Sequence, residues 1–364
     1  MFDYRHYVPV LKGKEGEFRA LEHLQSIARN RLTPFIDIPR RELDQKTKQP
    51  KESIDVYLEK KAKKIHRAWG TASPIFVDVF DLDLGLRTPS GTHFIEFLFS
   101  QLRDCDVMAI PVIGLDRAGD NEYVDAVKET ILSDKRGISI RLLHEDLEMP
   151  TATYSDVDDL IRTLGLTKSS VHLLMDFRSV FKDDLSGVAD IATGFLANLP
   201  DTTYWNTITL SLSGFPENLG GIPPRSIGIL PRTELDLRDL LVLRKRNISR
   251  FPAFGDYGIC HPDLLDYDPR FNPGAAIRYT IERSWLIVKE GSLKKYGFDQ
   301  FRDISDTLRK RSEYYGPTYS WGDNYIDECA NCTVGKGSLT TWRQVGTNHH
   351  ITLVGSQIAS SPSI

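Results

Sequence analysis

The sequence predicts an α/β fold of the (β/α)8 TIM-type barrel class, followed by a C-terminal appendage. Eight times in residues 1–260, a short β-branched or aromatic run ends in a polar or glycine residue, and a helix-patterned stretch usually follows. Parallel strands need such long crossovers, so the alternation favours parallel pairing. An open doubly wound sheet is the alternative, but no glycine-rich dinucleotide turn follows the first run.

The eight runs matter because a barrel carries its site at the C-terminal ends of its strands. A shift of one residue in any run would turn the polar residue that follows it towards the helices. The runs and the residues that end them are 7–11 with Lys12, 34–36 with Asp37, 75–77 with Asp78, 108–113 with Gly114, 138–140 with Arg141, 171–175 with Asp176, 208–210 with Ser211, and 251–254 with Gly255 and Asp256.

The stretches between the runs have helical spacing. After the first run, Phe18, Leu21 and Leu24 recur at the three-residue spacing that buries one helical face. After the second run, Ile54 and Leu58 recur among many lysines and glutamates, which indicates a solvated outer face. Similar patterns follow the fourth and fifth runs. Basic runs at 60–64 and 244–246 lie on such outer faces, so a solvated surface is their expected role.

The pattern changes after Asp256, which predicts a barrel over residues 1–260 and an α+β appendage over residues 261–364. The appendage is rich in Trp and Tyr, so we expect it to pack over the barrel mouth. Its predicted parts are a proline-rich connector at 260–276, strand or mixed structure at 276–288, a helix at 298–312, turns at 331–337, and a short strand or helix at 352–358.

Composition is that of a cytoplasmic protein. The 364 residues are 40% hydrophobic and carry a net charge of -4, so no nucleic-acid partner is indicated. No run reaches the roughly 20 apolar residues of a membrane span, and the N-terminus predicts no signal peptide. Four cysteines in this length favour reduced thiols.

The strand-end residues predict a mouth that holds both signs of charge. Arginine binds phosphate in bidentate fashion, and a nearby carboxylate serves as a general base or as a ligand for a divalent cation such as magnesium. A structural ring of ion pairs is the alternative. The candidate catalytic residues are Asp78, Asp176, Asp256 and His349, and the candidate ligand-binding residues are Lys12, Asp37, Arg141, Ser211, Tyr257, Arg278 and Arg343.

Asp78, Asp81 and Asp83 form a separate acidic group at the third strand end. Asp78 and Asp81 differ in parity, so a cation would bind them only if the chain curls back after the strand. Helix caps and solvated charges explain the same residues, and we favour that interpretation.

The C-terminal part supplies further polar candidates. A segment after the eighth strand can fold over the mouth and bring histidines to the strand ends. On an extended segment His349 and His350 would point to opposite faces, so at most one is expected in a single site. This set comprises Asp256, His261, Arg278, Ser320, Asp323, Arg343, His349 and His350.

Other motifs give weaker evidence for a function. Cys329 and Cys332 have zinc-knuckle spacing, but no second cysteine pair accompanies them, so structural zinc is disfavoured against two ordinary thiols. The sequence has no Gly-x-Ser-x-Gly elbow, P-loop or His-Glu-x-x-His motif. Residues 211–214, Ser-Leu-Ser-Gly, more simply present hydroxyls and amides to an anion.

A set of short motifs is spread along nearly the whole chain. The motifs are YVPVLK at 7–12, Gly16-Glu17, Ala20-Leu21, GDYG at 255–258, His261-Pro262, IRYT at 277–280, SWGD at 320–323, Trp342-Arg343 and His349-His350. Together they resemble the Beta protein family of temperate and satellite phages. In that family the gene lies beside a toxin-like gene called Gop and a repressor, in a prophage locus associated with defence against other phages. The resemblance implies a role in phage conflict and supplies no catalytic residues.

Two functions therefore remain open. The first is a phage-defence component whose barrel mouth binds a phosphorylated or nucleotide-like small molecule, with or without hydrolysing it. The second is a non-catalytic antagonist or scaffold that binds a toxin-like partner protein from the same locus, because a barrel fold alone does not choose between them. Convergence of acids and bases on one cavity would favour the first.

Overall fold

The computed structural model describes residues 2–263 and 272–364 and contains a closed parallel barrel. Eight strands form it in the order β1-β2-β3-β4-β5-β6-β7-β9, and β1 pairs with both β2 and β9. This closure confirms the (β/α)8 prediction and rules out an open doubly wound sheet. The strands are β1 Tyr7–Leu11, β2 Phe35–Asp37, β3 Ile75–Asp78, β4 Ala109–Gly114, β5 Ile138–Leu142, β6 Val171–Ser179, β7 Thr207–Ser213, β8 Ser226–Pro231, β9 Ala253–Asp256, β10 Gly274–Ile281 and β11 Ser284–Ser292.

Helices cover the outside of the barrel and build much of the appendage. They follow the amphipathic spacing of the sequence: α3, for example, buries Ile54, Leu58 and Ile65 and exposes most of its lysines. The helices are α1 Glu15–Glu22, α2 Ser26–Arg29, α3 Ile54–Trp69, α4 Phe94–Asp104, α5 Asn121–Asp134, α6 His144–Glu148, α7 Pro150–Thr163, α8 Leu185–Asn198, α9 Thr233–Leu243, α10 Leu293–Tyr296, α11 Gln300–Arg309, α12 Trp321–Ala330 and α13 Leu339–Ala359.

Alternation along each strand separates two apolar layers. One cluster fills the barrel axis and includes Val8, Val10, Phe35 and Phe76. The residues between them, such as Tyr7, Leu11 and Ile36, belong to the larger core between strands and helices. Because this parity continues to the strand ends, it decides which polar residues reach the mouth.

A strand from within residues 1–260 belongs to a second sheet. This sheet has the order β10-β11-β8, and Trp285 of β11 lies opposite Leu230 of β8. In β8, Ile227 and Ile229 are exposed and alternate with half-buried neighbours. This strand therefore lacks the buried apolar run that marks the barrel strands. The boundary at residue 260 therefore cuts through one sheet.

Helix α13 joins the barrel to the appendage. Its first half places Trp342 and Val345 in the appendage core, and its second half places Ile351 and Val354 in the barrel core. It packs against α1 and β1, where the helix after the eighth strand of a barrel belongs. The segment 352–358 is thus helical, and the last barrel helix comes from the end of the chain.

The appendage meets the barrel on the side where β7 and β9 end. Trp285 stacks edge-on against Phe215, with ring centroids 5.0 Å apart, and both share a cluster with Ile259. Phe215 follows β7 and Ile259 follows β9, so the contact lies at the C-terminal end of the barrel. The predicted connector at 260–276 falls largely outside the described residues, since these stop at 263 and resume at 272.

No helix within residues 2–263 and 272–364 is long and apolar enough to cross a membrane.

Candidate functional site

Five of the predicted strand-end residues point into the barrel axis and touch one another. Lys12, Asp37, Asp78, Arg141 and Asp176 are each no more than 2% exposed. Lys12, Asp37, Asp78 and Asp176 follow inward residues of β1, β2, β3 and β6 by two positions, and Arg141 follows Ser139 of β5 in the same way, so strand parity turns all five inward. We call these five residues, together with Arg117 and Tyr257, the inner cluster.

Arg141 is the centre of the inner cluster. Its Nε and Nη2 donate to Asp176 Oδ2 at 2.9 and 2.6 Å, and its Nη1 donates to Asp37 and Asp78 at 3.0 and 2.8 Å. Its Nη2 also donates to the Tyr257 hydroxyl at 2.7 Å, and that hydroxyl donates to Asp176 at 2.5 Å. A guanidinium has five N–H donors, so Arg141 has none left for a ligand.

Two further cations contact the same carboxylates. Lys12 Nζ lies 2.7 Å from Asp37 and 3.4 Å from Asp81. Arg117 Nη1 donates to Asp78 at 2.6 Å, whereas the buried Arg117 Nη2 has no hydrogen-bond partner among the described residues. Sequence reasoning missed Arg117, because it lies in a short 3-10 turn after β4 and no strand pattern marks it.

Three guanidinium groups lie around the ring of Phe80. The Arg141, Arg178 and Arg117 carbons lie 4.7, 4.9 and 5.6 Å from its centroid. Arg178 Nη2 contacts Asp263, but the buried Nη1 of Arg178 has no partner in the part of the chain that is described. The position of Phe80, two residues after Asp78, was the only sequence signal for this residue.

The charges of the inner cluster stabilise one another. Burial alone would raise the pKa of Asp37, but Arg141 and Lys12 outweigh it and hold this pKa below its usual value. Burial would lower the pKa of Lys12, and Asp37 and Asp81 outweigh it and raise this pKa. Both groups are therefore charged at neutral pH, and Asp37 is a poor general base there.

Asp256 does not join the inner cluster, so the prediction that it lines the mouth is wrong. Gly255 takes the inward position, where a Cβ would lie 2.9 Å from the Val8 carbonyl oxygen and 3.1 Å from Ser211 Cβ. Asp256 then faces the helices, and Tyr257 faces inward again. Asp256 accepts hydrogen bonds from the Tyr7 hydroxyl at 2.5 Å and from Gly258 N at 2.9 Å.

The histidine pair lies outside the mouth as well. The two residues belong to α13, not to an extended segment, and both are fully buried. His350 bonds Asp256 at 3.0 Å through Nε2 and the Thr280 hydroxyl at 2.8 Å through Nδ1. His349 bonds Asp323 at 2.8 Å and the Thr280 carbonyl oxygen at 2.7 Å. His349 therefore lies too deep in this network to reach the mouth.

We call Tyr7, Asp256, His350, Thr280, His349 and Asp323 the helix-layer network. It runs from β1 and β9 of the barrel to β10, α12 and α13 of the appendage. Burial lowers the pKa of His350 despite the opposing charge of Asp256, so this imidazole is neutral near pH 7. The network joins barrel and appendage by hydrogen bonds between buried side chains, which is a structural role.

The remaining candidates are dispersed. Ser211 faces inward beside Gly255, but its buried hydroxyl has no partner among the described residues. Arg278 of β10 and Arg343 of α13 lie where the appendage meets the barrel, next to Cys260. The mouth therefore brings together six of the eleven predicted residues: Lys12, Asp37, Asp78, Arg141, Asp176 and Tyr257.

The arrangement of the carboxylate oxygens at the mouth does not favour a metal site. The carboxylates of Asp37, Asp78 and Asp176 converge on a guanidinium, which occupies the space a divalent cation would need. Within the described ranges, no group of three or more His, Cys, Asp or Glu side chains has metal-binding geometry. Asp83 Oδ1 accepts from Gly85 N at 2.9 Å, as a turn-forming aspartate does. Cys329 is buried and Cys332 is exposed, which does not fit the closed site of a zinc knuckle.

Fold and site define a class: a TIM-type barrel with a buried, charged C-terminal mouth and an appendage built onto its eighth strand. The chain belongs to the Beta protein family, whose model matches residues 7–356. No curated protein matches the chain in sequence. Among solved structures, a triosephosphate isomerase from Bartonella henselae shares 11% sequence identity, covering 70% of this chain and 94% of that chain with a TM-score of 0.36.

Proposed function

We propose that this protein is a phage-defence component whose barrel mouth binds a phosphate-bearing ligand. The observation that carries the proposal is the set of cations around Phe80: Arg117 and Arg178 each hold a buried guanidinium nitrogen without a partner among the described residues. A phosphate group between them would accept hydrogen bonds from both. Arg141, with every donor engaged, holds the carboxylates in place instead.

Energetics supports a functional reason for this arrangement. A buried donor without a partner costs about 1–3 kcal/mol, and buried ion pairs are often no more stabilising than apolar side chains of equal size. A barrel axis filled only for stability would be apolar at the mouth, as it is around Val8, Val10 and Phe76. The polar mouth therefore fits ligand binding better than packing.

Binding is better supported than hydrolysis. Asp78 and Asp176, the proposed catalytic carboxylates, each accept hydrogen bonds from Arg141, and Asp78 also accepts from Arg117. A general base needs a free lone pair and a pKa near the working pH, and the pKa of the neighbouring Asp37 is held low. We therefore propose a receptor for the ligand, without a chemical step.

The defence role is proposed from the resemblance to the Beta protein family, which implies a neighbouring toxin-like gene called Gop; the family match over residues 7–356 supports the membership alone. The test is plaque formation on cells that carry the complete locus. We expect Arg117→Gln combined with Arg178→Gln to abolish protection, because both unpartnered donors are removed. Arg162→Gln, at an exposed ion pair on α7, is the control and retains protection. Circular dichroism verifies that each variant folds, and full protection by the folded double variant contradicts the proposal.

A second function, binding of the toxin-like partner protein, is favoured by the edge strand β8. Ile227 and Ile229 are 41% and 60% exposed, and among the described strands β8 pairs on one side only, with β11. Exposed apolar edges accept further strands, so β8 offers a docking surface. Co-purification with the Gop-type protein tests it: Ile227→Lys with Ile229→Lys should abolish capture, whereas the Arg117/Arg178 double variant should not.

A further inference from the structure

The backbone groups of Ile227 and Ile229 point to the edge of β8 that faces away from β11. In an antiparallel ladder, successive residues direct their N–H and C=O groups alternately to the two sides of the strand. Arg232 N donates to the Arg283 carbonyl oxygen at 3.0 Å, which continues the register of β8 with β11. Even-numbered residues of β8 therefore bond β11, and odd-numbered residues face the other edge. Pro231, which has no N–H, also takes an outward position, as prolines of edge strands do.

The side chains at this edge are apolar on one face. Ile227 lies opposite Val288 of β11, and Ile229 lies opposite Leu286. Val288 and Leu286 are buried in one cluster with Phe301 of α11, whereas the two isoleucines remain exposed. Among the described strands, β11 alone pairs with β8. The edge thus presents backbone donors and acceptors beside two exposed apolar side chains, which is how a sheet accepts a further strand.

The sequence of β8 is complementary to itself. In an antiparallel pair centred on Gly228, Ile227 of one copy lies opposite Ile229 of the other, and Arg225 lies opposite Pro231. Because both isoleucines direct their backbone groups outward, each of the two Ile–Ile pairs exchanges two hydrogen bonds. Two-fold symmetry repeats every contact. A pair centred on Ile227 instead would place Ile229 opposite Arg225 and leave one Ile–Ile contact, so the first register is favoured.

Charges near the two ends of β8 fit the same antiparallel pairing. At its beginning, Arg225 is exposed and lies 4.0 Å from the Glu290 carboxylate, the outer limit of an ion pair. Near its end, Asp236 and Asp239 both contact one nitrogen of Arg283, at 2.6 and 2.8 Å. Antiparallel pairing brings the beginning of one strand to the end of the other. Each copy therefore brings a guanidinium to the end that carries two accessible carboxylates.

We infer that β8 pairs edge to edge with β8 of a second copy of this chain, so that two three-stranded sheets become one sheet of six strands. The pairing needs neither the mouth ligand nor the toxin-like partner proposed above. It uses the edge that the second candidate function assigns to that partner, so a paired copy excludes the partner. A contact along one strand edge is smaller than the interface of a permanent dimer, and the pairing is therefore reversible, with a micromolar dissociation constant.

Sedimentation velocity of the purified chain tests the pairing between about 1 and about 200 µM. We expect the wild type to change from monomer to dimer over this range. Ile227→Lys with Ile229→Lys should give a monomer throughout, because lysines would face one another across the pair. Arg225→Glu should weaken dimerisation about fivefold, as a charge at the rim of an interface does. Ile27→Lys, at an exposed isoleucine of α2, is the control and should dimerise like the wild type. Circular dichroism verifies that each variant folds.

Disulfide crosslinking tests the register of the two strands, in a Cys332→Ser background because Cys332 is exposed. Directly opposite residues that exchange hydrogen bonds have Cα atoms about 5.5 Å apart, within the range of a disulfide. The double variant Ile227→Cys/Ile229→Cys should therefore form a covalent dimer under mild oxidation. Ile227→Cys alone should not, because its two introduced thiols lie two residues out of register.

Three outcomes overturn the inference. The first is a wild-type chain that stays monomeric at about 200 µM; if that chain still captures the Gop-type protein, the edge belongs to the partner alone. The second is a dimer that persists in the Ile227→Lys/Ile229→Lys variant. The third is covalent dimer in equal yield from the single and the double cysteine variants.

Discussion

The inner cluster and the helix-layer network lie on opposite sides of the same barrel wall and hold polar groups in different ways. The inner cluster buries three aspartates against Lys12, Arg117 and Arg141. The helix-layer network relies mainly on imidazoles and hydroxyls around Asp256 and Asp323. Many buried charges with donors that have no partner among the described residues are typical of a ligand site. A chain of side chains that hydrogen-bond one another is typical of a connection between two parts of a fold.

Deleting α13 should have the largest effect, because it removes the joint and the last barrel helix together. We expect a chain that ends at residue 338 not to fold, since Ile351, Val354 and Ile358 leave the barrel core. Circular dichroism and limited proteolysis measure this.

For the intact chain, we expect barrel and appendage to unfold in one transition, and a stable proteolytic fragment ending near residue 260 would contradict that.

Arg141→Ala breaks the inner cluster at its centre. We expect a loss of about 3–5 kcal/mol in the free energy of unfolding, because three buried carboxylates lose their shared cation. Urea unfolding measures the loss, with Arg162→Ala as the exposed control. A loss no larger than that of the control would show that the aspartates do not depend on Arg141.

Acidification should affect the buried histidines at a higher pH than it affects the inner cluster. His350 belongs to the helix-layer network, whereas His172 lies in the barrel axis against Phe76. Burial lowers the pKa of His172 from 6.5 to about 4, and the pKa of His350 also lies below 6.5. The unfolded chain binds these protons first, so stability is full above pH 6.5 and is lost as pH falls towards 4, by up to roughly 3 kcal/mol for His172. Asp37 has a pKa below its ordinary value of 3.8 in the folded protein. Through Asp37, the inner cluster therefore loses stability only when the pH falls below about 3.8.

Urea midpoints recorded between pH 7 and pH 4 test this difference. We expect His172→Gln to reduce the slope in that range and Arg162→Gln to leave it unchanged. A wild-type midpoint that stays constant down to pH 4 would contradict the burial of neutral histidines.

The smallest expected effect compares two buried hydroxyls. Ser211 has no partner for its hydroxyl among the described residues, whereas the Thr280 hydroxyl pairs with His350 at 2.8 Å. We expect Ser211→Ala to change stability by less than about 0.5 kcal/mol and Thr280→Val to cost about 1–2 kcal/mol. Thermal unfolding of both variants measures the difference, and equal losses would show that Ser211 has a partner.

Strand patterns were sufficient to predict the barrel and five strand-end residues, because those runs are apolar and their inward parity follows from β pairing. Asp256 was misplaced because its run ends in Gly255-Asp256, and only the close approach of Gly255 to Val8 decides which residue faces inward. Helix α13 was missed as a barrel helix because it is buried on most sides, so it lacks an amphipathic pattern. Arg117 and Phe80 lie outside strands, where periodicity gives no signal.

The central claim is that Arg117 and Arg178 bind a phosphate-bearing ligand at the barrel mouth. The most direct test is mass spectrometry of the small molecules released when gently purified protein is denatured, for the wild type, the Arg117→Gln/Arg178→Gln variant and the Arg162→Gln control. We expect a phosphate-bearing molecule from the wild type and the control that is absent from the double variant. Identical release from all three proteins would contradict the claim.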